Sequence, residues 1–326
     1  MDSWLTFDFG VFTDPGLFLS TIFDGLTLGS IYALVALGYT LVYGVLNLIN
    51  FAHSEVFISG AFAVSFFLTA LGFGASAPHL PLGLLILDLV LAGLVAMAVS
   101  ALVALAIERI AYKPLRDKGA PRLVFLITAI GMSFVIQYLF FLWRGPSPEP
   151  KTKMFVPKPI FDIFGGIIDS LQLTIVIAAV LMMICVDQIV GRTKLGRGIR
   201  AVAEDPDTAT LMGVNKERII MATFVIGGAL AGAAALFMMM KTPDGAKYDG
   251  GFILGIKAFT AAVLGGIGNI RGALLGGLLI GVIGNFGAAF LGNAQWTDVI
   301  IFAVLILVLM IRPTGILGSN LGKKRA

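Results

Sequence analysis

Before residue 241, six stretches of this chain run for 17 residues or more without a charged side chain: Leu26 to Ile49, Val56 to Ala77, Leu89 to Ile107, Leu123 to Trp143, Ser170 to Val186 and Ile219 to Met240. A helix of about 20 apolar residues is what it takes to cross the hydrocarbon core of a bilayer. Three shorter or glycine-interrupted segments follow, near Phe252 to Ile270, Gly272 to Leu291 and Trp296 to Ile311. In lipid every backbone amide must find its partner inside the segment, which leaves helices as the spanning form for runs this long. The sequence therefore predicts an all-α, polytopic transmembrane bundle of about eight or nine spans, some of them discontinuous. It predicts a single transmembrane domain over residues 1–326.

Composition excludes the soluble alternatives. Charged residues make up 13% of the chain and hydrophobic ones 58%, whereas a soluble domain carries about 25% charged residues. The 40 glycines have no collagen period and suit close helix approach in lipid. The net charge of +4 does not point to nucleic acid, because the bases sit in short loops between apolar runs. One cysteine, Cys185, and two histidines, His53 and His79, leave no basis for a disulfide or a structural metal cluster. Met1 to Gly16 contains neither lysine nor arginine, so no cleavable signal is expected and the first span should be retained.

The bases also set an orientation. Arg109, Lys113, Arg116, Lys118 and Arg122 lie in Glu108 to Arg122, read as one loop, and Arg192, Lys194, Arg197, Arg200, Lys216 and Arg218 lie in Asp187 to Arg218. With Arg312, Lys323, Lys324 and Arg325 in the tail, these three regions are expected in the cytoplasm. Arg144 to Asp169 mixes four bases with three acids and holds Pro146, Pro148, Pro150, Pro157 and Pro159, which predicts an irregular external loop. Parity then places Lys241 to Gly251 and the N-terminus outside as well.

A polar break divides the first two apolar runs. In Asn47-Leu-Ile-Asn50-Phe-Ala-His53-Ser54-Glu55 the polar residues recur three or four apart, so in a helix they share one face. Glu55 is costly against lipid. Two readings stand: a short cytoplasmic turn, or an unwound segment within the membrane whose polar groups line a cavity. The stretch from Gly25 (GLTLGSIYALVALGYTLVYG) and the following Asn50-Phe-Ala-His-Ser-Glu55 resemble the opening of the branched-chain amino acid ABC transporter permeases of the LivH type. That family usually has glycine where Ser54 stands.

Further along, Asp205-Pro206 starts a helix well, aspartate capping and proline in the first turn, and Gly213 is a natural stop. A short amphipathic helix over Ala203 to Met212 is expected within the loop at about 191–218. The run from Gly196 through Asn215 resembles the coupling segment of importer permeases. The resemblance implies that Arg200, Glu204, Asp205, Asp207, Thr208, Leu211, Met212 and Gly213 meet an ATP-binding subunit.

Lys257 to Gly272 is the most family-like stretch. It lacks the GxxxxGK[ST] of a phosphate-binding loop. Its glycines give small-xxx-small spacings, Gly268–Gly272–Gly276 and Gly277–Gly281, which favour tight packing. Gly265, Gly266, Gly268 and Asn269 favour a broken helix near mid-membrane; with Asn47, Asn50, His53, Ser54 and Glu55 they form the expected substrate pathway. Asn269 and Arg271 depart from the family's usual Gly-Gly-Ile-Gly-Ser-Ile-Pro-Gly. Lys257 reads equally as a snorkelling base or a substrate contact. The closing Ile311-Arg-Pro-Thr-Gly-Ile-Leu-Gly318 is again similar to the family, so the likeness runs from about Thr21 to Gly318.

The resemblance implies a non-enzymatic permease subunit in the bacterial inner (cytoplasmic) membrane. Its partners would be a paralogous LivM-type permease, two ATP-binding subunits and a periplasmic substrate-binding protein. No cofactor is expected on this chain, ATP being held by the partners. The expected cargo is branched-chain or related hydrophobic amino acids, moved by ATP-driven alternating access; a permease for urea or amides is an alternative. A stand-alone secondary transporter is another, for which the ionisable candidates are Glu55, Asp88, Asp187 and Lys257. A channel would need a symmetric oligomer, and an intramembrane enzyme would need a Ser–His dyad or aspartate pair that the spacing does not offer.

Overall fold

A computed structural model describes residues 7–74, 81–149, 157–242 and 245–318; Asp2, His79, Pro150, Lys323, Lys324 and Arg325 lie outside the described residues. In chain order the elements are α1 (Gly10–Thr13), α2 (Pro15–Leu46), α3 (His53–Ala70), α4 (Leu82–Ile107), a π-helical turn (Glu108–Tyr112), α5 (Lys113–Asp117) and α6 (Arg122–Arg144). Two strands follow, β1 (Pro159–Ile163) and β2 (Gly166–Asp169), then α7 (Ser170–Arg192), α8 (Lys194–Glu204), α9 (Pro206–Leu211) and α10 (Lys216–Lys241). The last three are α11 (Gly250–Gly265), α12 (Ile270–Phe290) and α13 (Trp296–Ile311). Among the described residues seven helices are long and apolar enough to cross a membrane, and the shorter apolar α11 and α13 bring the tally to the upper end of the expected span number. The protein is a polytopic helical membrane bundle.

Three local expectations are corrected. Glu108 to Arg122 is not a plain loop: α4 continues through the π-helical turn to Asp117. Its charges are tolerated because they pair, Lys113 with Asp117 one turn on and Arg116 with Glu108. The proline-rich segment is not wholly irregular either. Its end folds back as an antiparallel hairpin, Ile163 opposite Gly166, with Phe164 and Gly165 both at positive φ (53° and 85°). Two successive residues of that hand make the tight turn whose twist matches paired strands. Finally, the helix expected over Ala203 to Met212 is two helices. Asp205 is extended (φ −153°, ψ 104°) between α8 and α9, because a residue before proline is pushed out of the helical region.

The chain divides into two compact units, with α2, α7 and α11 contributing residues to both. The first comprises residues up to 36, 157–183 and 257 onward. Here α2 starts on Pro15, with Asp14 Oδ1 accepting from the Gly16 amide at 2.8 Å. The small residues of α2 and α12 let their backbones touch: a Cβ added at Gly277 would stand 2.5 Å from Ala33 Cα, and one at Gly281 would strike the Gly25 carbonyl. Two long-range polar pairs lie inside this unit, Gln172 Nε2 donating to Asp24 Oδ1 (3.0 Å) and Asn285 Nδ2 to the Thr21 carbonyl (3.0 Å). Lys257 forms an ion pair with Asp298, so it does not snorkel alone.

The second unit comprises residues 37–156 and 184–256, with α3, α4 and α10 at its core. Small residues again set the spacing. A Cβ on Gly60 would meet Gly232 Cα at 3.0 Å, and one on Gly232 would meet Met97 Cα at 2.8 Å. The opposite face of α6 presents Leu123, Ile127, Phe134, Leu139 and Leu142, exposed in the protein and suited to lipid.

Candidate functional site

The polar break between α2 and α3 lies in the second unit. Asn47 ends α2 in the left-handed region (φ 51°), a conformation that asparagine tolerates better than most residues. The chain then leaves helical geometry until His53, so Asn47, Asn50 and Ser54 do not share a helix face as the spacing suggested. Asn47 is exposed, while Asn50, His53, Ser54 and Glu55 are buried. Glu55 Oε1 accepts from Ser54 Oγ (3.2 Å) and from Ser133 Oγ (3.1 Å). Ser133 is the middle residue of the 23-residue α6, a helix about 35 Å long at 1.5 Å per residue. The carboxylate is therefore level with the centre of a span. This geometry favours the intramembrane reading of the break over a turn in the cytoplasm.

Three buried atoms at the break have no hydrogen-bond partner among the described residues: Asn50 Nδ2, His53 Nε2 and Glu55 Oε2. Buried polar groups are normally paired, and an unpaired one costs about 1–3 kcal/mol. Their clustering marks a place built to take a polar ligand rather than to maximise stability. His53 is held edge-on to Tyr39, ring centroids 4.8 Å apart. It fits only because residue 38 is glycine, a Cβ there colliding with His53 Nε2. Ser54 meets α11 at Gly251 and Gly255, where a Cβ would approach the Ser54 carbonyl at 2.6 Å and the Ser54 Cβ at 2.5 Å. Sequence reasoning missed Ser133 and Tyr112, the latter donating its hydroxyl to Asn50 Oδ1 at 2.7 Å. The signal for Ser133 is a hydroxyl within an apolar run, and Thr128 and Tyr138 give the same signal in that run.

The segment between α7 and α10 belongs to the same unit. Thr193 caps α8, its Oγ1 accepting from the Gly196 amide (3.1 Å), and the Arg200 guanidinium donates back to the Val190 carbonyl. Asp205 caps α9 as the sequence predicts. Its Oδ1 accepts from the amides of Asp207 (3.0 Å) and Thr208 (3.2 Å), and its Oδ2 from Thr208 Oγ1 (2.6 Å). The Thr208 hydroxyl first, then these amides, hold the Asp205 carboxyl below the usual carboxylate range. Gly213 closes the helix with φ 85°. Glu204, Asp205, Asp207 and Thr208 are exposed. So are two large apolar side chains, Leu211 at 87% and Met212 at 82%.

Gly265, Gly266, Gly268 and Asn269 lie in the first unit and form a tight turn between α11 and α12. Gly266 and Gly268 have φ 107° and 92°. Asn269 caps α12 through Oδ1 to the amides of Arg271 (3.1 Å) and Gly272 (3.2 Å), and its Nδ2 donates to the Leu317 carbonyl (2.9 Å). The amides of Ile316 and Leu317 bond the Leu264 and Gly265 carbonyls. A Cβ at Gly276 would stand 2.8 Å from the Gly265 amide, so the two helices double back on each other. Backbone packing accounts for these glycines, and the turn is tied to the segment that follows α13.

Residues 21–309 match the model of the family described as "Branched-chain amino acid transport system / permease component". The chain is 44% identical over 309 residues to the high-affinity branched-chain amino acid transport system permease protein BraD of Pseudomonas aeruginosa, covering 92% of this chain and 96% of that one. It is 41% identical over 305 residues to LivH, of the same description, from Escherichia coli K12, with the same coverage. A probable LivH of Methanocaldococcus jannaschii is 27% identical over 302 residues, covering 89% of this chain and 90% of that one. No solved structure matches the chain. With a family model and relatives that span nearly its whole length, the chain belongs to the branched-chain amino acid transport permease family.

Proposed function

We propose that this protein is the permease subunit of an ABC importer that carries branched-chain or related hydrophobic amino acids across the bacterial inner membrane by ATP-driven alternating access. A paralogous LivM-type permease, two ATP-binding subunits and a periplasmic binding protein complete the machine. ATP binds to the partners, and this chain holds no cofactor. The observation that carries the reading is α9: a short helix capped by Asp205, with Leu211 and Met212 almost fully exposed on a loop rich in bases. A water-facing helix gains nothing from two such side chains unless a partner covers them. Closure of the ATP-binding subunits pushes on Arg200 to Gly213, and the spans attached at either end reorient.

The substrate pathway passes the break at Asn50 to Glu55. An amino acid crosses the membrane as a zwitterion and needs an acceptor for its ammonium group at mid-membrane. Glu55, buried and with Oε2 unpaired, supplies one. Gly265 to Asn269 serve this pathway by fixing the α11–α12 turn. Substituting Leu211→Ser together with Met212→Ser tests the coupling role. The variant is expected to insert and fold, yet to lose co-purification with the ATP-binding subunit and all ATP-dependent uptake. Undiminished association and uptake would refute the assignment.

A further inference from the structure

The second unit contains a connected polar chain assembled from residues distant in sequence, and it starts where α9 ends. Below α9, the amide of Val214 bonds the Ala209 carbonyl (3.0 Å), and Asn215 caps α10 through Oδ1 to the Arg218 amide (3.1 Å). Glu217, in the first turn of α10, accepts from Arg116 at both oxygens: Oε1 from Nε at 3.2 Å and Oε2 from Nη2 at 2.7 Å. The same Arg116 Nη2 donates to Glu108 Oε1 at 2.8 Å. Glu108 opens the π-helical turn, and Tyr112 closes it with its hydroxyl on Asn50. Asn50 in turn accepts, through its backbone carbonyl, from the amide of His53, the first residue of α3.

The arrangement is costly, which argues that it does more than hold the fold. Glu108 is wholly buried, and among the described residues neither its second oxygen nor the buried Arg116 Nη1 has a hydrogen-bond partner. Lys113 Nζ lies 3.8 Å from Glu217 and Arg109 Nε 4.0 Å from Glu108, both beyond hydrogen-bond range. Charges left incompletely paired keep bonding capacity that a shift of neighbouring helices can redistribute, and networks of this kind can carry coupling between sites. The π-helical turn between two α-helical segments is a second such feature, since wide turns of this kind concentrate at functional positions.

We propose that Glu217, Arg116, Glu108 and Tyr112 are positioning residues that transmit movement of the α9–α10 junction to the Asn47–Ala52 break. The inference rests on the coupling reading given above. When α9 is displaced, the first turn of α10 moves Glu217, the guanidinium exchanges its bonds between Glu217 and Glu108, and the π-helical turn carries Tyr112 with it. Tyr112 sits against Phe125 and Phe224, centroids 6.1 and 5.7 Å away, so its ring moves with the helices rather than freely. Release of Asn50 loosens the start of α3, two residues before Glu55.

The test uses the full transporter, reconstituted in liposomes with its ATP-binding subunits, second permease and binding protein, measuring radiolabelled leucine uptake and phosphate release together. Tyr112→Phe removes one oxygen and keeps the ring contacts. It is expected to lower the leucine imported per ATP by a factor of about 2–30 while hydrolysis continues. Glu217→Gln and Arg116→Lys, which keeps the charge but loses the fork, are expected to shift the ratio the same way. A purely structural role would lower uptake and hydrolysis in proportion, and an unchanged ratio in all three variants overturns the proposal. A second readout needs no transport. In the purified subunit, amide exchange over residues 50–55 is expected to quicken by about twofold or more in Glu217→Gln. Unchanged exchange there overturns the relay whichever solute is carried, whereas absence of leucine uptake by the unsubstituted transporter would bear on the proposed substrate alone.

Discussion

Gly38 and Gly44 lie six positions apart on α2, and the same substitution at each has opposite predicted effects. An alanine Cβ at Gly38 would run into His53 Nε2 and stand 3.0 Å from the Gly227 carbonyl. The carbonyl belongs to α10 and is fixed by its helix, so relief must come from displacing the His53 ring, which is confined by Tyr39. Overpacking of this kind costs about 1–3 kcal/mol. At Gly44 none of the described residues comes within 4 Å of an added Cβ, and its φ is ordinary for a helix. There alanine gains about 0.5–1 kcal/mol of helix stability over glycine. At about 2 °C per kcal/mol for a large domain, the apparent Tm should fall by about 2–6 °C for Gly38→Ala and rise by about 1–2 °C for Gly44→Ala. The assay is thermal unfolding of the purified protein in one detergent at one scan rate, because membrane-protein transitions are often irreversible. Equal shifts at the two positions, or a more stable Gly38→Ala, would refute the claim that His53 is packed against a position that admits only glycine.

Two further outcomes follow from single interactions. Asp205→Ala should leave global unfolding unchanged and speed amide exchange over 206–211, since it removes the cap of an exposed helix. The folded carboxyl titrates below its unfolded value, so the cap's contribution is present above the ordinary carboxylate range and is lost as pH falls through the folded pKa. Protection of 206–211 relative to the intrinsic exchange rate should therefore fall only in acid, and equal protection with and without Asp205 at neutral pH would contradict the cap. Asp298→Asn takes the carboxylate from Lys257 and leaves it the hydrogen bond with Tyr32; with the Asp298 side chain 40% exposed, it should cost about 1 kcal/mol. Replacing both residues by apolar ones should recover part of that loss, and thermal unfolding of the single and double variants reads it.

Much of the architecture is legible because lipid demands long apolar helices: among the described residues, nine apolar helices stand where the sequence has its nine apolar segments. Caps were legible too: Asp205-Pro206 and Gly213 do what local chemistry requires of them. What the sequence hid were partners distant in the chain. Glu108 to Asp117 read as a loop because its charges look like surface charges, yet Arg116 binds Glu108 and a glutamate on α10, and the helix continues. The hairpin at Pro159 to Asp169 escaped because prolines around it suggest irregular chain, while its turn uses Phe164 at positive φ, a residue that gives no turn signal. Glu55 was recognisable as costly in a membrane. Its level within the bundle depended on Ser133, and nothing in an apolar run tells which hydroxyl will face a carboxylate.

A motor-driven permease is told most directly from an ion-driven one in liposomes holding the complete transporter, with ATP sealed inside and leucine with binding protein outside. Uptake is expected only with hydrolysable ATP and an intact ATP-binding subunit. It should persist when an uncoupler abolishes ion gradients and disappear in Leu211→Ser/Met212→Ser. Leucine uptake by the permease alone, driven by an ion gradient and collapsed by the uncoupler, would contradict the motor-driven reading.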